Sequence, residues 1–154
     1  MAVVEVSQTR NIATLSINRP EALNALNEEV LMELRNKIIS LENVQVMILR
    51  GAGEKAFAAG ADIKSIKEMN SMQAGAFVEL GQSVVQLIEE APFISIAAVN
   101  GFALGGGLEL ALSADLIYST DKARFGAPET NLALIPGFGG TVNLIALVGF
   151  HHAM

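Results

Sequence analysis

The chain has 154 residues, 51% hydrophobic and 17% charged, with ten Lys and Arg against sixteen Asp and Glu for a net charge of −6. A disordered chain is excluded, and a chain of this length buries roughly two-thirds of its unfolded surface, enough for one cored domain. With no basic run and no Trp it is not a generic nucleic-acid binder, and with no Cys it has no disulfide, thiolate zinc site or cysteine nucleophile.

In chain order, Val3–Val6 and Ile12–Ile17 alternate β-branched and polar residues and are expected as two strands joined by a turn over Gln8–Asn11. Residues Met1–Arg10 lack the basic and apolar regions of a secretory signal, and together with the missing Cys this fits a cytoplasmic protein. Pro20, with no N–H for a ladder, ends the second strand at Asn18-Arg19-Pro20. Asn27 is expected as a helix N-cap, with Glu28 and Glu29 at the positive dipole end and an apolar stripe of Val30, Leu31, Leu34, Ile38 and Leu41 behind it. Val44–Leu49 reads as a third strand and Arg50–Gly53 as a loop. A short helix is expected after Asp62. A longer one follows over Ser71–Glu90, turning Phe77, Leu80, Val84, Val85, Leu87 and Ile88 inward. Pro92 separates it from a strand at Ile94–Val99. A helix from near Gly106, a strand at Asp115–Ser119 and a helix over Gly140–Val148 complete the chain. The order β-β-α-β-α-β-α-β-α, with crossover-length connections, predicts an α/β fold with parallel strands and one domain over residues 1–154. No Asp, Glu, Lys or Arg occurs from Thr130 to Met154, but Pro136-Gly137-Phe138-Gly139-Gly140 interrupts that stretch, so it is not expected to span a membrane.

Three stretches carry chemistry. In Asn100–Leu110 an apolar strand runs into Gly105-Gly106-Gly107 and then a helix, where free N–H groups can hold a phosphate or a developing oxyanion. No Lys or hydroxyl follows the glycines, so the phosphate-loop pattern fails, and the dinucleotide fingerprint fails on spacing. Tight strand–helix packing explains three glycines equally well. Glu109, among Leu108, Leu110, Ala111 and Leu112, is either a partner of the helix dipole or a carboxylate kept beside a reactive centre. Glu129, in Phe125-Gly126-Ala127-Pro128-Glu129, is either a helix-start residue or the second member of an acid–base pair. The third stretch, Lys55–Ile63, is rich in small residues that leave room beside the backbone, and its Asp62 can cap the next helix.

Taken together, Asn18-Arg19-Pro20 with Asn24-Ala25-Leu26, Phe57-Ala58-Ala59-Gly60-Ala61-Asp62-Ile63, Ala98-Val99-Asn100-Gly101 through Gly105-Gly106-Gly107-Leu108-Glu109, Phe125–Glu129 and Ile135-Pro136-Gly137 resemble the enoyl-CoA hydratase/isomerase (crotonase) family. The resemblance runs over essentially the whole chain, in the family's order. It implies a crotonase-like right-handed spiral of ββα units and an acyl-CoA thioester as substrate, with no metal and no other cofactor. It implies that the N–H groups of Ala61 and Gly106 form an oxyanion hole for the thioester carbonyl. Glu109 and Glu129 match the family's two catalytic glutamates, which hold the water that adds across a 2,3 double bond. Ala59, Ala61, Asp62, Ile63 and Lys64, with Gly105 and Gly106, match the segments lining the CoA thioester, and Asn24, Ala25 and Leu26 lie near them.

The chain departs from the family's pattern at its end. Family members usually run on through C-terminal helices that cover the acyl pocket and build a trimer, so a truncated core is expected. Where the family shows polar and basic residues, Val142–His152 is apolar apart from Asn143 and the two histidines. Adjacent His151 and His152 without an acidic partner read as tail, not as a metal site. At about 100° per residue Leu144, Leu147 and Val148 share one helix face while Val142 and Ile145 lie off it. A helix apolar on two sides predicts self-association, most simply a two-fold dimer using Val142, Ile145 and Phe150. Two activities follow from the resemblance, and the apolar tail adds a third reading. Hydration of an enoyl-CoA leads; a Δ3,Δ2-enoyl-CoA isomerase needs only one of the glutamates; a truncated or engineered scaffold would self-associate with little activity.

Overall fold

Residues 2–154 are described by the computed structural model. Strands β1 (Val4–Thr9) and β2 (Ile12–Ile17) form an antiparallel hairpin in register from Val4↔Ile17 to Thr9↔Ile12. Pairing with β2 extends β1 three polar residues beyond the expected Val6. Asn27 caps α1 (Glu28–Ile39) by accepting the Val30 N–H at 3.0 Å. The chain continues through β3 (Val46–Gly51), β4 (Ala56–Ala58), α2 (Ile63–Lys67) and α3 (Ser71–Glu89). It then passes through β5 (Ile94–Val99), β6 (Phe102–Leu104), α4 (Gly106–Leu112), β7 (Leu116–Ser119) and β8 (Arg124–Gly126) to α5 (Gly140–Val148) and α6 (Phe150–Ala153).

Two sheets result. Five strands lie in the order β1-β2-β3-β5-β7, parallel from β2 onward, and three short parallel strands lie in the order β4-β6-β8. The β1–β2 hairpin stays within the larger sheet, and each later strand pair, β3/β4, β5/β6 and β7/β8, gives one strand to each sheet. The α/β class and the parallel strands expected from the element order are present. The second sheet was not anticipated, because three-residue strands such as Ala56-Phe57-Ala58 are too short to show alternation. β3 sits two residues later than expected, since its ladder pairs Ile12↔Val46 through Ile17↔Gly51 and so takes in Arg50 and Gly51.

The core lies between the five-stranded sheet and helices α1 and α3. Ala13, Leu15 and Ile17 alternate inward along β2, Met47 and Leu49 along β3, and Ala97 and Val99 along β5. They meet Val30, Leu31, Leu34 and Ile38 of α1 and Phe77, Val84, Val85 and Ile88 of α3. Each of the larger side chains among them contributes about 1.5–3 kcal/mol by leaving water. The last helices differ. Of the face expected to pack, only Leu144 is half-buried; Leu147 and Val148 are 59% and 42% exposed. The face is lost because α5 rests mainly on the short α4, which is too small to cover two turns. No helix among the described residues is long and apolar enough to cross a membrane.

Candidate active site

The site collects where the three short parallel strands end, the end at which open parallel sheets present ligands to their loops. After β4 come Ala59-Gly60-Ala61 and the N-cap Asp62; after β6 come Gly105 and α4; after β8 come Ala127 and the 3₁₀ turn Pro128–Leu132 carrying Glu129. Gly105 donates its N–H to the Gly126 carbonyl at 2.9 Å, which ties the second and third junctions together.

Ala61 forms an isolated parallel bridge with Leu26. The Leu26 N–H donates to Gly60 and the Asp62 N–H donates to Leu26, both at 2.8 Å. In that pattern the N–H of the residue between, Ala61, is turned away from Leu26 and toward the junction. Gly106 opens α4, so its N–H is one of the first-turn donors with no acceptor inside the helix.

The three glycines turn out to have separate reasons. Gly105 adopts φ +50°, and a Cβ there would come within 2.9 Å of Glu129 Oε1 and 3.7 Å of the Gly60 Cα. Gly106 leaves room for the Phe138 ring, and Gly107 lets α4 lie directly on the Ala58 carbonyl. Tight packing, one of the two readings the sequence offered for this run, accounts for Gly106 and Gly107, while Gly105 is required by its positive φ beside Glu129.

Glu109 is 3% exposed on the inner face of α4. Its Oε1 accepts the N–H of Phe138 at 2.8 Å and of Gly140 at 2.7 Å. It therefore serves the start of α5 and not its own helix dipole. Burial pushes its pKa up; the Gly140 and Phe138 N–H groups pull it down, the nearby charge of Glu129 adds to the rise, and the balance is upward. Glu129 is half-buried, and its Oε2 is shielded from solvent with no hydrogen-bond partner. An unpartnered buried carboxylate oxygen is costly, so Glu129 stands out among the acidic residues of the chain.

The residues expected beside the CoA thioester divide into two groups. Ile63 and Lys64 are exposed on the first turn of α2, and Ala59 and Ala61 are half-buried beside them. Asn24 is fully buried and its amide is committed to the Ala52 and Ala56 carbonyls (2.9 and 2.8 Å) and the Arg19 N–H (3.0 Å), so it pins the loop instead of offering polar atoms to a ligand. Leu26 is likewise fully buried and half-buried Ala25 uses its carbonyl on Arg19. Asp62 caps Lys64 and pairs with Arg19 at 3.1 Å. Arg19 thus joins the Ala25 loop to the residue after Ala61, a part not assigned from sequence. Phe138 and Gly140 were missed too, because backbone donors leave no side-chain signature; glycines flanking one aromatic residue were the available clue. His151 and His152 lie exposed on α6, and among the described residues no three His, Cys, Asp or Glu side chains converge.

Two backbone N–H groups at loop-to-helix junctions and two shielded carboxylates thus lie at one end of an α/β fold with parallel strands. The chain belongs to the enoyl-CoA hydratase/isomerase family, whose model matches residues 7–154. It is 51% identical over 141 residues to a short-chain-enoyl-CoA hydratase of Clostridium acetobutylicum, an alignment covering 90% of this chain and 54% of that protein. It is 45% identical to a crotonyl-CoA hydratase of Syntrophomonas wolfei, covering 94% of this chain and 56% of that one. The crystal structure of an enoyl-CoA hydratase from Bacillus anthracis superposes with a TM-score of 0.94 at 41% identity, covering 98% of this chain and 60% of that one. The chain thus spans about half the length of the curated relatives it matches.

Proposed function

We propose that this chain carries the hydration site for a short 2-enoyl-CoA thioester. The observation that carries the reading is the convergence of Glu109 and unpartnered Glu129 on the paired junctions of Ala61 and Gly106. The two N–H groups would accept the thioester oxygen and stabilise the enolate charge that builds on it. Glu109, its pKa raised by burial, takes a proton from water as the water oxygen bonds to the β-carbon. Glu129, protonated from solvent before the addition, delivers that proton to the α-carbon, which leaves Glu109 protonated and Glu129 ionised until exchange with solvent resets both. Ile63 and Lys64 would border the CoA moiety. The direct test is hydration of crotonyl-CoA by the chain itself. A ligand-bound structure should place the carbonyl oxygen about 2.7–3.1 Å from both N–H groups. No turnover, or a carbonyl aimed elsewhere, would refute the reading.

A further part of the reading concerns association. The exposed large apolar side chains concentrate after Leu116, including Val142 (68%) and Phe150 (59%), while residues 130–154 carry no Asp, Glu, Lys or Arg. A second copy could cover that face through α5 without burying a charge. The proposed two-fold dimer uses Val142, Ile145 and Phe150. Ile145→Lys should shift the mass in solution toward monomer, and a chain monomeric at high concentration would overturn the proposal.

A further inference from the structure

Between Ala127 and Met154 only Phe138 and Gly140 are buried. The Phe138 ring lies against α3 and α4 together: a Cβ on Gly81 would collide with one edge, and a Cβ on Gly106 would come within 2.9 Å of the other. Phe77 packs on it with ring centroids 5.7 Å apart. The neighbouring strap is otherwise held by little, chiefly the Gln82 side chain donating to the Gly137 carbonyl at 2.8 Å. Yet this strap supplies both N–H groups that orient Glu109.

We propose that Phe138 is a positioning residue: its ring, seated between Gly81 and Gly106, holds the Gly137–Gly140 strap so that the Glu109 carboxylate stays fixed on the buried side of α4, the helix that Gly106 opens. The proposal rests on the hydration reading for its consequence in catalysis, but not for its geometry. One side chain touches the backbone of the proposed oxyanion donor and, through its own N–H, grips the proposed base. A residue that only filled space would matter to stability alone. Phe138 sets the distance between two reacting parts, and an ångström of misplacement is enough for about a 100-fold loss.

Glu109 also reports on the seat without turnover. Burial is what raises its pKa most, so release of the strap lets water in and returns it toward the ordinary carboxylate value. Glu129 is the charged group facing it; Glu79 and Glu89 of α3 are exposed, and the strap and α5 carry no charge.

The experiment is carboxyl NMR titration of the glutamate-labelled chain and of three variants. Phe138→Ala and Gly81→Ala should each lower the Glu109 midpoint. Gly81→Ala combined with Phe138→Leu should restore part of the shift, because the smaller side chain leaves room for the new methyl. The sheet amide signals check that each variant is folded, and if Phe138→Ala is not, Gly81→Ala and the double variant decide. In crotonyl-CoA hydration kcat should fall about 100-fold with KM little changed. An unshifted Glu109 in folded variants overturns the positioning role. Absence of turnover in the unsubstituted chain refutes the hydration reading instead, and the titration still decides on Phe138.

Discussion

The sheet from β1 to β5 and the segment from β7 to α6 are held by different means. In the first, α1 and α3 close over alternating inward residues, and Leu15, Ile17, Leu31, Leu34 and Leu49 are almost fully buried. In the second, every residue of β7 is exposed, and a single ring, Phe138, reaches the interior. Burial carries stability, so the first region holds the fold. The second contributes Glu129 and the N–H donors that aim Glu109. The site is thus assembled across the boundary between a well-packed frame and a lightly anchored segment, the kind of region that opens locally before the rest.

The sharpest break of this comparison lies at the site. Glu109→Gln and Glu129→Gln keep volume but remove proton exchange. Each should lower turnover of crotonyl-CoA by about 10²–10⁴-fold while changing thioester binding far less. Equal losses in both would show that the carboxylates only seat the substrate. Next in size, Leu34→Ala in the frame should cost about 2–5 kcal/mol in denaturant unfolding, whereas Leu147→Ala on α5 should stay within about 0.5 kcal/mol. Similar losses at the two positions would erase the contrast, and a large loss at Leu147 would point to a covered α5. Smaller again, Asn27→Ala removes the α1 cap and should cost about 1 kcal/mol.

The smallest effect is in pH dependence. The Ser95 N–H and hydroxyl, both 2.7 Å from Asp115, hold that carboxylate below its usual value. Its contribution is therefore present above the unfolded pKa of 3.8 and lost as pH falls through the lower folded value. Glu109 acts with the opposite sign. Its raised pKa gives stability that is full below the unfolded value of 4.5 and declines as pH rises through the folded one. Asp115→Asn should flatten the acid limb of the stability profile, and Glu109→Gln the limb above it. Unchanged limbs would mean that neither group differs between folded and unfolded chains.

Much of the frame was legible because its signals are local. The cap at Asn27, the stripe on α1, the limits of β2, β5 and α5, and the run of α3 all follow from periodicity, capping chemistry and Pro placement. The second sheet was not legible, since three residues cannot display a period. The packing of α5 misled for a related reason. An apolar pattern says which residues prefer burial, not whether another element is there to bury them.

What the sequence determined alone was the α/β class with parallel strands, the cap and apolar stripe of α1 and the inward face of α3, since each depends on residues close together in the chain. Tertiary structure alone decided that Gly60 and Gly105 lie side by side, that Asn24 is spent on backbone carbonyls, and that Glu109 is aimed by Phe138 and Gly140. Those contacts join residues 28 or more positions apart, through backbone groups that every residue type carries. Only the packing of α3 and α4 around one ring selects which of those groups meet.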